Sequence, residues 1–202
     1  MKRNAAMILL TLLTIGCDYG DSEFRVAENN FFPLQVGNYW ELRPFAQNPT
    51  NDQVVTKMTI TGTETFAGVE YYCMVTTSES PIGVYIDSAY YRMDGNGFVF
   101  RRTETGDVSN PYRLGADDGA SWRLSSSSTE DDMTVTFYST PVEIGSLQLE
   151  NCRLFSYDVE NWADEESYTT LAPGIGIVTM HSAWGFRKDL KKAMVNGVEY
   201  NF

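Results

Sequence analysis

Apolar and polar residues alternate with a period of two along much of this chain. In residues 54–61, one side of an extended backbone carries Val54, Thr56, Met58 and Ile60, and the other side is mostly polar. Residues 133–138 repeat the pattern, with apolar side chains at Met133, Val135 and Phe137. Alternation of β-branched and aromatic residues with polar ones is typical of half-buried β-strands. The pattern therefore predicts sheets that bury one face.

Short turn sequences separate these strands. Asp94-Gly95-Asn96-Gly97 and Asn196-Gly197 each lie between apolar runs, and Gly and Asn tolerate the positive φ of tight hairpin turns. Ala67-Gly68 predicts another turn, followed by a strand from Val69 to Thr77. The alternation changes phase near Asn151, which indicates a β-bulge. Two glycines close together in Pro173-Gly174-Ile175-Gly176 predict a bend or bulge at a sheet corner, or else a close backbone approach to a ligand.

Helical periodicity is nearly absent, with Asn161–Leu171 as the one segment that resembles a short helix. We count about nine to eleven strands at short spacing. The predicted fold is all-β, with a single antiparallel meander that forms a barrel, a half-barrel or a sandwich.

The N-terminus has a different pattern from the rest. Lys2 and Arg3 precede a short apolar run, which ends at Gly16-Cys17 and is too short to span a bilayer. These features predict a secretory signal over residues 1–16. Leu13-Thr14-Ile15-Gly16-Cys17 resembles the lipobox of bacterial lipoproteins, although Thr14 stands where Leu is commonest. The resemblance implies cleavage before Cys17 and acylation of that residue with palmitate-like chains; the alternative is an ordinary signal followed by an incidental cysteine.

Charge narrows the choice of partners. Residues 17–30 are acidic and polar, and we interpret them as the lipidated Cys17 and a tether to a β-rich domain over residues 31–202. The whole chain has a net charge of −12, and loss of the two bases in residues 1–16 changes this to −14. Such a chain repels phosphate backbones, so we expect no nucleic-acid partner. It also repels anionic lipid head groups, so membrane attachment would depend on the acylated Cys17.

Three further segments resemble those of a broad group of uncharacterised bacterial envelope lipoproteins. The first is Phe-Pro-Leu-x-Val-Gly-Asn-x-Trp, which covers residues 32–40 here, and the second is Ala-Pro-Gly-x-Gly-x-Val at residues 172–178. The third is a closing pair of strands with Leu190, Ala193, Asn196, Gly197 and Tyr200. The resemblance implies one β-rich domain on a lipid anchor. It carries over no catalytic residues.

Common catalytic and metal-binding motifs are missing. The chain has one histidine, His181, and no Gly-x-Ser-x-Gly segment, Cys-x-x-Cys pair or phosphate-binding loop. Asp94-Gly95-Asn96-Gly97 resembles only the beginning of a calcium loop, and a solvated turn explains it better. We therefore expect no catalytic residue, no metal site and no cofactor. Paired carboxylates of a hydrolase are the weakest alternative, because nothing in the sequence places two of them in a cleft.

Two kinds of residue remain as candidates. Cys73 and Cys152 predict either a disulfide between distant strands or two separate buried thiols. The 27 aromatic residues include adjacent tyrosines, and two adjacent residues of a strand point to opposite faces of the sheet. Tyr72, Tyr85 and Tyr91 are the candidate ligand-facing aromatics, with ordinary cross-strand packing as the alternative.

These observations predict a lipid-anchored bacterial envelope protein, on the outer rather than the inner membrane. We expect a non-enzymatic binding module for an apolar or glycan ligand or for a protein partner. The alternative is a structural or assembly component of the envelope without a small ligand.

Overall fold

The computed structural model describes residues 30–45, 55–125, 133–159, 166–182 and 187–202. Within these ranges the chain forms thirteen strands and no helix. The strands are β1 (Tyr39–Pro44), β2 (Val55–Phe66), β3 (Val69–Ser80), β4 (Gly83–Met93), β5 (Phe98–Arg102), β6 (Val108–Arg113), β7 (Ser121–Arg123), β8 (Met133–Ile144), β9 (Leu147–Val159), β10 (Ser167–Ala172), β11 (Gly176–His181), β12 (Lys188–Val195) and β13 (Val198–Asn201). None of the described segments is a helix of the length and apolar character needed to span a membrane.

All the strands belong to one antiparallel sheet that is nearly closed into a barrel. Its order is β6-β5-β4-β3-β2-β1-β12-β11-β10-β9-β8-β7, and β13 pairs with β12 beside this path. The two outermost strands, β6 and β7, meet through a single bridge between Ser109 and Ser125 and a hydrogen bond from Asn110 N to Leu124 O of 2.7 Å. The all-β antiparallel prediction is confirmed, and of its three forms the structure is closest to the barrel.

The predicted turns are confirmed as well. Asn196 and Gly197 have φ of 52° and 82° between β12 and β13, and Ala67-Gly68 also has positive φ between β2 and β3. At the β4–β5 turn, the Asp94 carboxylate accepts hydrogen bonds from the backbone N–H groups of Asn96 and Phe98, both at 2.9 Å. That carboxylate therefore stabilises its own turn, in agreement with the interpretation as a hairpin.

Two details differ from the prediction. The strand predicted over residues 54–61 continues to Phe66, because a register shift between Ile60 and Gly62 lets β2 pass the glycine. The helical pattern over Asn161–Leu171 is wrong for its described part, since residues 167–171 belong to β10. Most of β10 and the start of β11 are buried on both faces, which removes the alternation that marks a strand.

Register shifts mark where strands bend. Asn151 has φ of 55°, and β8 and β9 shift register between Thr140 and Val142, so the predicted bulge near Asn151 is confirmed. Beyond this bulge the end of the β8–β9 hairpin contacts the residue that precedes β12. The Arg187 guanidinium donates a hydrogen bond of 2.9 Å to Glu143 O.

The three segments that resemble the envelope lipoproteins meet at one place. Asn38 is buried, its amide nitrogen donates to Pro33 O at 2.8 Å, and its amide oxygen accepts from Asn196 N at 2.8 Å. Trp40 is fully buried and donates from Nε1 to Ile175 O at 2.6 Å. The first segment thus contacts both of the others, and the three segments together hold the start and the end of the domain side by side.

Candidate functional site

The sheet has an inner face that forms the core and an outer face that carries aromatic residues. Tyr72 pairs directly with Tyr91 across β3 and β4, and both pack against the core, so their neighbours Tyr71 and Tyr90 point outwards. Tyr85 pairs with Ser78, which lies six residues after Tyr72 on β3. The register does not shift between these pairs, so Tyr85 lies on the same face as Tyr72 and Tyr91. The three tyrosines singled out from the sequence therefore share the inner face of the β3–β4 hairpin.

These three tyrosines differ in their surroundings. The Tyr91 ring lies 5.4 Å from the Phe32 ring, which also packs at 5.3 Å against Tyr112. Burial is the main cause that raises the pKa of Tyr91 and of Tyr112. Tyr85, by contrast, is 65% exposed near the end of the hairpin. Tyr72 and Tyr91 therefore pack against the hydrophobic core. Of the three tyrosines, Tyr85 is the one exposed enough for a large partner to contact.

The outer face of β2–β6 carries a cluster in which arginines lie over aromatic rings. We define this arginine–aromatic face as Phe66, Tyr71, Tyr90, Arg92, Phe98, Phe100, Arg102 and Arg113. Arg92 pairs with Phe100 across β4 and β5, Tyr90 pairs with Arg102, and Phe98 pairs with Arg113 across β5 and β6. Each cross-strand pair therefore combines one guanidinium with one ring.

The distances show that the guanidinium groups stack on the rings. The Arg92 guanidinium lies 3.9 Å from the Phe100 ring centroid, and that of Arg102 lies 4.6 Å from the Phe66 ring. The Arg113 guanidinium lies 5.2 Å from the Phe98 ring. Contacts of this kind are worth about 0.5–1 kcal/mol each at exposed sites. They hold the guanidinium planes in place before any ligand arrives.

One donor of each arginine is already used by the protein. Arg92 Nε donates to the Tyr71 hydroxyl at 3.1 Å, Arg102 Nη1 donates to Gly106 O at 3.0 Å, and Arg113 Nε donates to Asn110 Oδ1 at 2.9 Å. Within the described ranges none of these three arginines forms an ion pair with a carboxylate. All three are half-buried, so outward donors of a guanidinium can reach a bound group.

The β3–β4 hairpin forms a second exposed surface. Ile82 at its turn is 99% exposed, and Val84 and Ile86 are each more than 60% exposed. Strand β5 pairs with β4 only from Tyr90 to Met93, so it leaves the edge of β4 nearer the turn uncovered. An exposed apolar edge strand is a place where another strand can add.

A third feature is a cleft of about 470 Å³ near the start of β12. Its lining includes Arg43, Phe45, Ile144, Asp189 and Phe202. Arg187 donates from Nε to the Asp189 carboxylate at 2.6 Å and lies 5.3 Å from the Phe45 ring. Burial raises the pKa of Asp189, although the hydrogen bond from Arg187 opposes this. The Asp189 carboxylate at this cleft is thus already paired with Arg187.

His181, the one histidine of the chain, packs against an aromatic ring. His181 stacks on Tyr168, with ring centroids 4.8 Å apart and planes 5° apart. In the part of the chain that the structure describes, no three histidine, cysteine or acidic residues are arranged to hold a metal ion.

The two later cysteines are free thiols in the structure. Cys73 is half-buried on β3 and Cys152 is buried on β9, and these strands do not pair. Cys17 lies outside the described residues.

We expect the two thiols to differ strongly in reactivity. Burial raises the pKa of Cys152 to about 11, so its thiolate is scarce near neutral pH, and the side chain is inaccessible. A thiol reagent at pH 8 should therefore label Cys73 quickly and Cys152 only after denaturation. Peptide mass mapping of a Cys17→Ala chain before and after unfolding measures this; equal labelling rates in the folded chain would contradict the burial of Cys152.

The arginine–aromatic face was not identified from the sequence. Its members lie on five strands, and each strand contributes only one to three of them. The available signal was local: Tyr90 and Arg92, and then Phe98, Phe100 and Arg102, recur at period two on either side of a predicted hairpin turn. That spacing places aromatic and cationic side chains together on one face.

Comparison with known proteins adds little. No protein-family model matches the chain, and no curated protein matches it. Among solved structures, the chain is similar to a provisionally assigned lipoprotein from Parabacteroides distasonis, with 14% sequence identity and a TM-score of 0.40. The similarity covers 80% of this chain and 98% of the other. At this level it does not establish a shared fold or function, so the function is inferred from the residues.

Proposed function

We propose that this chain is a lipid-anchored bacterial envelope protein that binds a glycan on its arginine–aromatic face. Support for the anchor comes from the lipobox-like residues 13–17. Support for binding comes from the face itself, where guanidinium groups lie beside rings and all members except the buried Tyr71 are half-buried. The outer membrane is the proposed location.

The single observation that carries the binding proposal is the packing of the rings on this face. Phe66 lies 4.8 Å from Tyr90 and 5.7 Å from Tyr71, both edge-on, and Phe100 lies under Arg92. Ring faces attract the polarised C–H groups of a sugar, and neighbouring guanidinium groups donate hydrogen bonds to its oxygen atoms. A cluster that presents ring surface beside guanidinium groups suits a saccharide better than a purely apolar ligand.

Glycan binding is tested with the full-length acylated chain in detergent, applied to an array of neutral and acidic oligosaccharides. We expect binding that Phe100→Ala weakens about tenfold, since stacking on one ring is worth roughly 1 kcal/mol or more. The matched control is Tyr138→Ala, which removes an exposed aromatic from β8 on the other half of the sheet. Binding to no saccharide at all, or equal losses in both variants, would contradict the proposal.

The anchor makes a separate prediction. Cys17→Ala removes the proposed acylation site, so the variant should lose the mass of the acyl chains and pass from the membrane fraction to the soluble one. Intact mass spectrometry and membrane fractionation measure the two effects. Wild-type amounts of Cys17→Ala in the membrane would rule out this anchor, and an unmodified mass for the natural chain would do the same.

A protein partner is the second candidate, and the exposed β3–β4 hairpin favours it. Its uncovered edge and the exposed Val84, Tyr85 and Ile86 can support addition of an extended segment from another protein. A photo-crosslinking residue placed at Ile82 in living cells tests this. A discrete crosslinked protein would support the second candidate, and absence of one at this site but not elsewhere on the surface would count against it.

A further inference from the structure

The arginine–aromatic face brings three arginines together on one side of the sheet. Lys and Arg number 15 against 27 Asp and Glu, so cations have ample opportunity to form ion pairs. Arg101, on the inner face of β5, reaches Asp87 at 4.0 Å, whereas no carboxylate pairs with Arg92, Arg102 or Arg113 among the described residues. Three cations without anionic partners on one face indicate that an anion can complete the site.

The register fixes how these charges are spaced. Arg92 lies opposite Phe100 and Arg102 lies opposite Tyr90, so the two arginines are diagonal neighbours across β4 and β5. Diagonal neighbours in an antiparallel pair are about 7–8 Å apart. The other diagonal of the same square joins Tyr90 and Phe100. The four side chains therefore alternate two charges with two rings over an area about as large as a disaccharide.

The donors that remain are of the kind that bind carboxylates. The nitrogen of Arg92 that contacts Tyr71 is Nε, which leaves its two terminal nitrogens for a ligand, and Arg102 retains Nη2. A planar guanidinium binds carboxylate oxygens with strong, charge-assisted hydrogen bonds. Because stacking already holds these planes, a ligand does not have to order them on binding.

From these observations we propose that the arginine–aromatic face binds a short acidic saccharide, with carboxylates on Arg92 and Arg102 and sugar rings on Tyr90 and Phe100. This inference rests on the proposed glycan-binding function and specifies its ligand class. Binding requires both the carboxylates and the sugar rings of the ligand, because charged and aromatic side chains alternate on the face.

The surroundings of the face limit the length of the ligand. Glu64 raises the pKa of the Tyr90 hydroxyl, and Glu104 accepts a hydrogen bond from Ser88, so carboxylates border the face near both residues. The whole chain also has a strong negative charge. A long polyanion would extend beyond the arginines onto this acidic surface and be repelled, whereas a short one would not.

The experiment compares probes of the same shape and different charge. Tetragalacturonate carries a carboxylate on every ring, and its methyl ester is the neutral counterpart. With the full-length acylated chain in detergent at 0.15 M salt, calorimetry should show tetragalacturonate binding at least tenfold more tightly than the ester. Poly-glutamate of similar charge, which lacks sugar rings, should bind at least tenfold more weakly than tetragalacturonate.

Variants assign the effect to the face. Arg92→Gln and Arg102→Gln should each weaken tetragalacturonate binding about tenfold, as expected for loss of a charge-assisted hydrogen bond. Arg92→Lys keeps the charge but not the planar fork, so it should also bind more weakly, while the melting temperature falls by only a few degrees. The control is Lys57→Gln, which removes an exposed cation lying 4.6 Å from the Tyr39 ring, away from the face.

Each outcome has a distinct meaning. Equal affinity for the acid and its ester would overturn the acidic ligand class and leave glycan binding intact. Equal affinity for poly-glutamate would overturn the saccharide requirement. Equal effects of Lys57→Gln and Arg92→Gln would show that net charge, and not this face, controls binding. Binding of neither tetragalacturonate nor its ester would overturn the inference, and binding to other array glycans would then decide the proposed function separately.

Discussion

Replacing Gly176 by alanine should destabilise the domain by roughly 3 kcal/mol or more, which for a domain of this size lowers the melting temperature by about 10 °C. Gly176 has φ of 94°, a conformation that other residues adopt with difficulty. A Cβ atom at this position would also lie 2.8 Å from Trp40 Nε1 and 2.9 Å from Trp40 Cζ2. Trp40 is fully buried and held by its hydrogen bond to Ile175 O, so it cannot move aside easily.

The chain offers a control that separates strain from collision. Gly37 has φ of 93°, and a Cβ atom there would meet no atom within 4 Å. Gly37→Ala should therefore reduce the free energy of unfolding only by the cost of the positive φ, about 1–2 kcal/mol. Thermal and urea unfolding of both variants measure the difference. Equal losses of stability would mean that the Trp40 ring does not pack closely on Gly176.

Replacing Asn38 by leucine should reduce the free energy of unfolding by about 3 kcal/mol. The substitution keeps the side chain buried but removes the donor to Pro33 O and the acceptor from Asn196 N. Each buried polar group that loses its partner contributes about 1–3 kcal/mol of destabilisation. Urea unfolding at pH 7 provides the measurement. A loss below about 1 kcal/mol would show that water replaces both partners and that Asn38 does not join the two ends of the chain.

The matched variant Asn38→Asp adds a dependence on pH. The introduced carboxyl can donate to Pro33 O only when it is protonated, so burial beside this carbonyl should raise its pKa in the folded state. A raised folded pKa stabilises the fold at low pH, and that stability is lost as the pH rises above the pKa of the unfolded chain. The loss of stability caused by Asn38→Asp, measured against the natural chain at the same pH, should therefore be larger at pH 7 than at pH 4. A difference in stability that does not change with pH would argue that Asn38 is accessible to water.

Local signals in the sequence were enough for most of the strands and turns, because each depends on a few neighbouring residues. The alternation at Thr56, Met58 and Ile60 predicts their common burial, and Asn196-Gly197 predicts its turn. The twelve-residue length of β2 was not predictable, since it depends on a register shift that lets Gly62 remain in the strand. Strand β10 was missed because packing on both of its faces hides the period of two.

The candidate site depended on information that the sequence does not contain. Two adjacent tyrosines in a strand indicate one inward and one outward ring. Which of them faces inwards depends on packing against the rest of the core, and in this structure Tyr71 and Tyr90 lie on the outer face. The role of Gly176 shows the same limit. Its pattern predicts a bend, which the structure has, yet the collision with Trp40 arises between residues 136 positions apart in the chain.

The position of β1 in the sheet has a consequence for how the domain forms. Strands β6 to β1 form one continuous meander and β12 to β7 another, and the two are joined at β1 and β12, from the two ends of the chain. Each meander needs only short loops, but joining Trp40 to Ala193 closes a loop of about 150 residues, with an entropic cost near 4 kcal/mol. This junction is therefore the expected slow step of folding. During synthesis or export from the N-terminus, the first meander must wait with β1 as an open edge until the last strands emerge, and over that interval a holding chaperone would be of most use.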